Sequence, residues 1–119
     1  MSIYIIEAVR LKLFKIGFSS NCKGRLKTFQ TGSPVQLHLI GEWPGDGKTE
    51  RAIHLELCRY RRKDEWFTVS LEMIAGAVSS HCKAEYETVL ESLKAASRQG
   101  WAKSDRKYLN SQKKFIPTP

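Results

Sequence analysis

The sequence predicts a small α/β (α+β) domain: a three-stranded antiparallel sheet flanked by helices, with a long helix added at the C-terminal end. Three observations predict it. Residues 3–9, 11–17 and 35–43 are short runs rich in β-branched and aromatic side chains, bounded by turn-forming residues. Residues 21–30 and 48–59 instead place apolar side chains at the helical period. From residue 71 to residue 96, Ile74, Val78, Val89, Leu90 and Leu93 predict one long helix packed on the body.

Each element has a local reason. Only Arg10 separates the first two runs, so a tight antiparallel hairpin is expected. Its turn lacks the Asn-Gly or Asp-Gly pair that would set a register. Ser19, Ser20 and Asn21 offer capping oxygens to the helix that follows. At about 100° per residue, Cys22, Leu26 and Phe29 share one face of that helix, and Gly32-Ser33-Pro34 ends it. In the third strand Val35, Leu37 and Leu39 alternate with Gln36 and His38, and Pro44-Gly45-Asp46-Gly47 closes it. The second helix places Ile53, Leu57 and Tyr60 on its buried face, with Glu50 and His54 one turn apart on the margin. Residues 59–63 read as a basic end, and Glu65-Trp66-Phe67 as a short apolar turn sealing the core.

Composition narrows the class. No apolar run approaches membrane-spanning length. The start, Met1-Ser2-Ile3-Tyr4, has neither a basic region nor a cleavable apolar segment, so a cytoplasmic protein with no membrane partner is expected. Cys22, Cys58 and Cys82 are odd in number and widely spaced, which suits reduced thiols. With no Cys-x-x-Cys pair, a zinc site from His54, Cys58, His81 and Cys82 is not expected. His38 and His81 read as surface or boundary histidines. The formal net charge is +8, which points to a polyanion as partner.

Within the first helix, Arg25 sits at the edge of the apolar face. A guanidinium held there is fixed yet exposed, which suits bidentate contact with a phosphate. The surrounding residues carry a resemblance. Ser2-Ile3-Tyr4 lies eleven residues before Lys15-Ile16-Gly17, and Asn21, Arg25 and Leu26 follow. With the run over residues 26–34, the pair Glu50 and His54, and Glu65-Trp66-Phe67, this resembles the GIY-YIG nuclease superfamily, in its compact phage and prophage branch. The resemblance spans roughly residues 2–70. It departs from the family pattern at Lys15, where the second motif has tyrosine, at Phe18, where many relatives have a basic residue, and at Phe29, where tyrosine is common.

The resemblance implies an Mg²⁺-dependent (or Mn²⁺-dependent) endonuclease that hydrolyses DNA phosphodiesters. Tyr4 would act as general base or orient the attacking water, Arg25 would stabilise charge on the phosphate, and Glu50 would hold the metal. His54 would serve as a base in place of a missing tyrosine, or else hydrogen-bond across its helix margin. Lys15 is expected to face Tyr4 across the hairpin and lower its pKa electrostatically. The alternative is a nucleic-acid-binding module of the same fold with weak or no catalysis, serving a phage in regulation or host interaction.

Lys27, Arg51, Arg59, Arg61, Arg62 and Lys63 are expected to form a basic rim contacting DNA phosphates without sequence choice. Three divisions are expected: residues 1–70 as the core, 71–97 as the packed helix and 98–119 as a flexible basic tail without regular period. The tail holds six basic residues against one acidic, and so most of the excess charge. Trp101, Tyr108 and Phe115 stand among these cations, a pattern suited to stacking on single-stranded nucleic acid or to packing back on the body.

Overall fold

A computed structural model describes the backbone of residues 1–113 and the side chains of residues 1–103. Strands β1 (Ser2–Ala8), β2 (Leu13–Ser19) and β3 (Leu37–Pro44) are those the sequence predicts, shifted by up to two residues at their ends. Helices α1 (Cys22–Thr31) and α2 (Gly47–Glu56) also lie where the periodicity places them. Two short strands, β4 (Arg61–Lys63) and β5 (Trp66–Phe67), extend the sheet from three strands to five, all antiparallel in the order β3-β1-β2-β5-β4. Strands of three and two residues are too short to show a period, so only the pairing of β5 to β2 and of β4 to β5 reveals them.

The hairpin between β1 and β2 is wider than the single-residue connection expected. Val9 to Lys12 form the loop, and Arg10 (φ 74°) and Lys12 (φ 54°) both adopt left-handed backbone. Each non-glycine residue there costs about 1–2 kcal/mol, which the paired strands offset.

β1 lies between two long neighbours and is buried on both faces, which explains its near-continuous apolar run. On one face Ile3, Ile5, Phe14 and Ile16 pack under Ile53 of α2 and the helices that follow. On the other, Tyr4, Ile6 and Ala8 meet Cys22, Leu26 and Phe29 of α1. A bulge in β3 opposite Ile5 and Ile6 turns Ile40 into the first core while Leu37 and Leu39 stay in the second. Tyr60, expected to be buried, is 41% exposed because α2 gives way to a 3₁₀ turn at Cys58–Tyr60.

The single helix expected over residues 71–96 is instead two, α3 (Leu71–Cys82) and α4 (Tyr86–Lys113). Lys83 breaks it in left-handed backbone (φ 53°), and Ser79 Oγ donates to Ala84 O at 2.8 Å across the turn. Folding back lets Ile74 and Val78 of α3 and Val89 and Leu93 of α4 reach the same core. No helix among the described residues is long and apolar enough to cross a membrane.

α4 continues past Arg98 to Lys113, where the sequence predicts no regular period. Its anchor is Glu7, buried on β1. Ser97 Oγ donates to both Glu7 carboxylate oxygens (2.9 and 3.1 Å), and Trp101 Nε1 donates to Oε2 at 3.4 Å. Gly100 lets the helix meet His38 of β3, whose ring would lie 2.6 Å from any Cβ at that position. Trp101 therefore packs back on the body, with the Arg10 guanidinium 5.2 Å from its ring centre. The Tyr108 side chain and Phe115 lie outside the described residues. Ser97→Ala removes one of two side-chain donors from a buried carboxylate. It should cost about 1–3 kcal/mol, read as a lower urea midpoint.

Candidate functional site

The face of the sheet that carries α1 also carries a cleft of about 510 Å³, walled by Tyr4, Lys15, Phe18, Arg25, Glu50 and Glu65 among others. Strand alternation sends Lys15 and Gly17 of β2 to this face, and Tyr4 of β1 pairs in register with Gly17. A Cβ on Gly17 would overlap the Tyr4 hydroxyl and ring. Glycine is thus required because the tyrosine lies across it. Asn21 caps α1 by accepting from Gly24 N at 3.0 Å, and the first turn of that helix sets Arg25 on the opposite wall.

The remaining wall comes from an unfinished strand edge. β5 pairs with β2 only at Phe14 and Lys15, and Ile16 N–H then donates to Glu65 O at 3.2 Å. Past that point α2 takes over with side chains. His54 Nε2 lies 2.7 Å from Ile16 O, and since a carbonyl only accepts, that nitrogen carries the hydrogen. The Phe18 N–H faces the Glu50 carboxylate and favours its charged form. Glu50 and His54 are one helical turn apart, their Oε1 and Nδ1 separated by 3.9 Å. A capping box from Asp46 and Thr49 starts α2, and the Phe67 ring meets His54 edge-on at 5.0 Å.

Electrostatics follow from this enclosure. Burial pushes the Glu50 carboxyl above its ordinary range, and the charge of Glu65 adds to the rise. His54, the Phe18 N–H and Arg51 act the other way. Tyr4 is also pushed upward, first by burial and then by the charge and hydrogen bond of Glu65, against a lowering by Arg25. Its Oη donates to Glu65 Oε2 at 3.4 Å, and Lys15 Nζ pairs with that same oxygen at 3.6 Å.

This corrects the expected role of Lys15. It pairs with Ile6, not Tyr4, and so sits diagonally from the tyrosine. Its ammonium is engaged by Glu65 and lies over the rings of Phe29 (4.4 Å) and Trp66 (5.4 Å). The Tyr4 hydroxyl is raised, not lowered. Glu65 is the cleft residue that sequence reasoning passes over. The available signal was its place just before Trp66, but reading it requires knowing that Trp66 pairs with Lys15.

The structure therefore gathers Tyr4, Lys15, Arg25 and Glu50 in one cleft, with His54 outside its wall and behind Glu50. The six rim residues lie elsewhere. Lys27 borders a groove with Lys23 and Gln30 on α1. Arg51 is exposed on α2, next to Glu50. Arg59, Arg61 and Arg62 gather with Tyr60 and Thr68 around a hollow of about 310 Å³, where Arg61 Nε bonds Asp64 O and Arg62 Nε donates to Thr68 Oγ1 at 3.1 Å. Lys63 joins Arg62 beside an apolar groove that includes Leu13 and Trp66. Among the described residues, no three or more His, Cys, Asp or Glu side chains converge as a metal cluster. His81 pairs instead with Glu56 at 3.0 Å.

Compared with known proteins, residues 1–82 match the family model of the T5orf172 domain. No curated protein and no solved structure matches the chain significantly.

Two substitutions test the geometry. Gly17→Ala should displace the Tyr4 ring and cost about 1–3 kcal/mol by overpacking, measured by urea denaturation. Glu50 has the opposite sign. Its proton is held more tightly in the fold than in the unfolded chain, so stability is lost as pH rises through the ordinary and then the raised pKa. Glu50→Gln removes that penalty and keeps an acceptor for Phe18 N–H. It should raise the thermal midpoint by a few degrees at neutral pH, and have no such effect in acid where the native carboxyl is already protonated.

Proposed function

We propose, because the chain belongs to the T5orf172 domain family of phage-type nuclease-related domains, that its cleft is the active site of a metal-dependent DNA endonuclease of the GIY-YIG kind. The observation that carries this reading is the convergence of Tyr4, Arg25 and Glu50, from β1, α1 and α2, on one cleft. An aromatic hydroxyl, a guanidinium and a carboxylate are the groups that phosphodiester hydrolysis needs at one phosphate.

Arg25 grips the non-bridging phosphate oxygens, and its charge is worth most as negative charge builds on them. Glu50 offers a hard carboxylate oxygen, partly withdrawn from water and facing the carboxylate of Glu65 across the cleft. Such a donor fits Mg²⁺ or Mn²⁺, which bind through one or two carboxylates and complete their shells with water and substrate phosphate. A bound divalent ion supplies Lewis-acid polarisation of the phosphoryl oxygen. His54, its Nε2 engaged by Ile16 O, holds Glu50 in place and stays out of proton transfer. Lys27, Arg51 and the basic residues of 59–63 lie outside the cleft, where contacts to flanking phosphates add affinity that weakens with salt.

A second reading, a DNA-binding module without efficient chemistry, draws on Lys15, Phe18 and Phe29, which line the cleft without hydroxyl groups. Supercoiled plasmid distinguishes the two. With Mg²⁺ or Mn²⁺ the protein should nick the plasmid, and Glu50→Ala or Arg25→Ala should slow this by about 10²–10⁴-fold while retaining the fold. Binding without cleavage in any divalent metal would instead establish the module.

A further inference from the structure

The Tyr4 hydroxyl presents a chemical difficulty for hydrolysis in this cleft. The side chain is buried, and its Oη–H is directed at Glu65. A phenol in that position cannot wait as phenolate for a water molecule. It can still accept a proton on its oxygen lone pair if its own proton leaves at the same time. Glu65 Oε2 lies 3.4 Å from Oη along the bond the hydroxyl already makes. Lys15 holds that same oxygen at 3.6 Å from the other side, so the carboxylate is fixed toward Tyr4. The side chain of Glu65 is 36% exposed, so a proton received there has a path to solvent.

We propose that Glu65 is a positioning residue that orients Tyr4 and takes its proton during phosphodiester hydrolysis, with Lys15 holding the carboxylate in place. The inference rests on the nuclease reading of the cleft. As the water oxygen forms its bond to phosphorus, one water proton passes to Tyr4 Oη and the original Tyr4 proton passes to Glu65. The bond from phosphorus to the leaving oxygen breaks, and that oxygen takes a proton from solvent. Glu65 then releases its proton to bulk water, restoring the starting state. The charged groups that face this pair are Lys15 from β2, Arg25 from α1, Glu50 from α2 and Asp64 from the turn between β4 and β5. Lys15 thereby has a function without a hydroxyl of its own.

The test uses the full chain with Glu65→Gln and Glu65→Asp. Single-turnover cleavage of plasmid DNA across a pH series should fall by about a hundredfold for Glu65→Gln, with DNA affinity unchanged and substantial rescue by Glu65→Asp. Tyrosine titration followed by carbon NMR gives a readout that does not depend on cleavage. In the wild type Tyr4 should ionise above the other tyrosines, and in Glu65→Gln its transition should move down. A Tyr4 transition that does not move, or a Glu65→Gln rate within twofold of wild type, overturns the relay while leaving the nuclease reading intact. A wild type whose Tyr4 titrates above the other tyrosines as described, yet which cleaves no DNA with any divalent metal, overturns the nuclease reading and the relay with it. Should Glu65→Gln fail to fold, Glu65→Ala takes its place by the same criteria, with Glu65→Asp again expected to keep most of the rate.

Discussion

The second strand of this domain runs past the end of its neighbour, and much of the molecule follows from how that exposed edge is completed. β5 supplies only two residues of pairing, which leaves Ile16 O and Phe18 N–H without a strand partner. Buried backbone groups without partners cost free energy comparable to a lost hydrogen bond. α2 resolves this with side chains: His54 donates to the carbonyl and Glu50 turns its carboxylate to the amide. A helix pinned to a strand by two side chains one turn apart has little rotational freedom. The same contacts that finish the sheet therefore fix a carboxylate at the mouth of the cleft. Position there is a consequence of backbone satisfaction, and the raised Glu50 pKa is its electrostatic cost.

The other walls show a similar economy. Tyr4 is held because Gly17 lacks a Cβ, and Arg25 because Asn21 caps the helix that carries it. Three acids (Glu50, Asp64 and Glu65) and two cations then face one another around the Tyr4 hydroxyl, with Lys15 paired to Glu65 and Arg25 left toward the open side. Arg25 is exposed on the wall, whereas Lys15 is committed to an internal pair and two aromatic rings. On the far face, the Glu7 carboxylate with Ser97 and Trp101 anchors α4 across β1 and β3, so both faces of the central strand carry a polar fastening inside an apolar layer.

What was legible in the sequence was whatever local pattern determines. The three long strands, α1 with its Asn21 cap, α2 with Glu50 and His54 on one margin, and the motif spacing that places Tyr4 and Gly17 on the first two strands all carry periodicity or spacing that reads directly. β4 and β5 did not, because a three-residue run of arginine and lysine has no strand signature until β5 is paired to it. The contact of Lys15 with Glu65 depends on the register between β2 and β5, which no local pattern sets, and the turn between β1 and β2 contained no residue pair to show that Lys15 lies opposite Ile6. The break at Lys83 was hidden because the apolar positions on either side fit one uninterrupted helix. Folding back there is a matter of tertiary packing, which brings both apolar stripes onto one core. Trp101 looked available for stacking because its partner, Glu7, lies in the first strand, far away in the chain.

The dependence of the cleft on the completed edge can be measured at one amide. Hydrogen exchange at Phe18 N–H, compared between wild type and Glu50→Ala, reports whether that carboxylate is the partner of the strand. The structure predicts slow exchange in the wild type and an acceleration of roughly tenfold or more in the variant, matching the loss of one buried hydrogen bond. Amides in the centre of β1 should be unchanged. Equal exchange at Phe18 in the two proteins would contradict the claim that Glu50 closes the edge of β2 and, with it, the origin of the cleft.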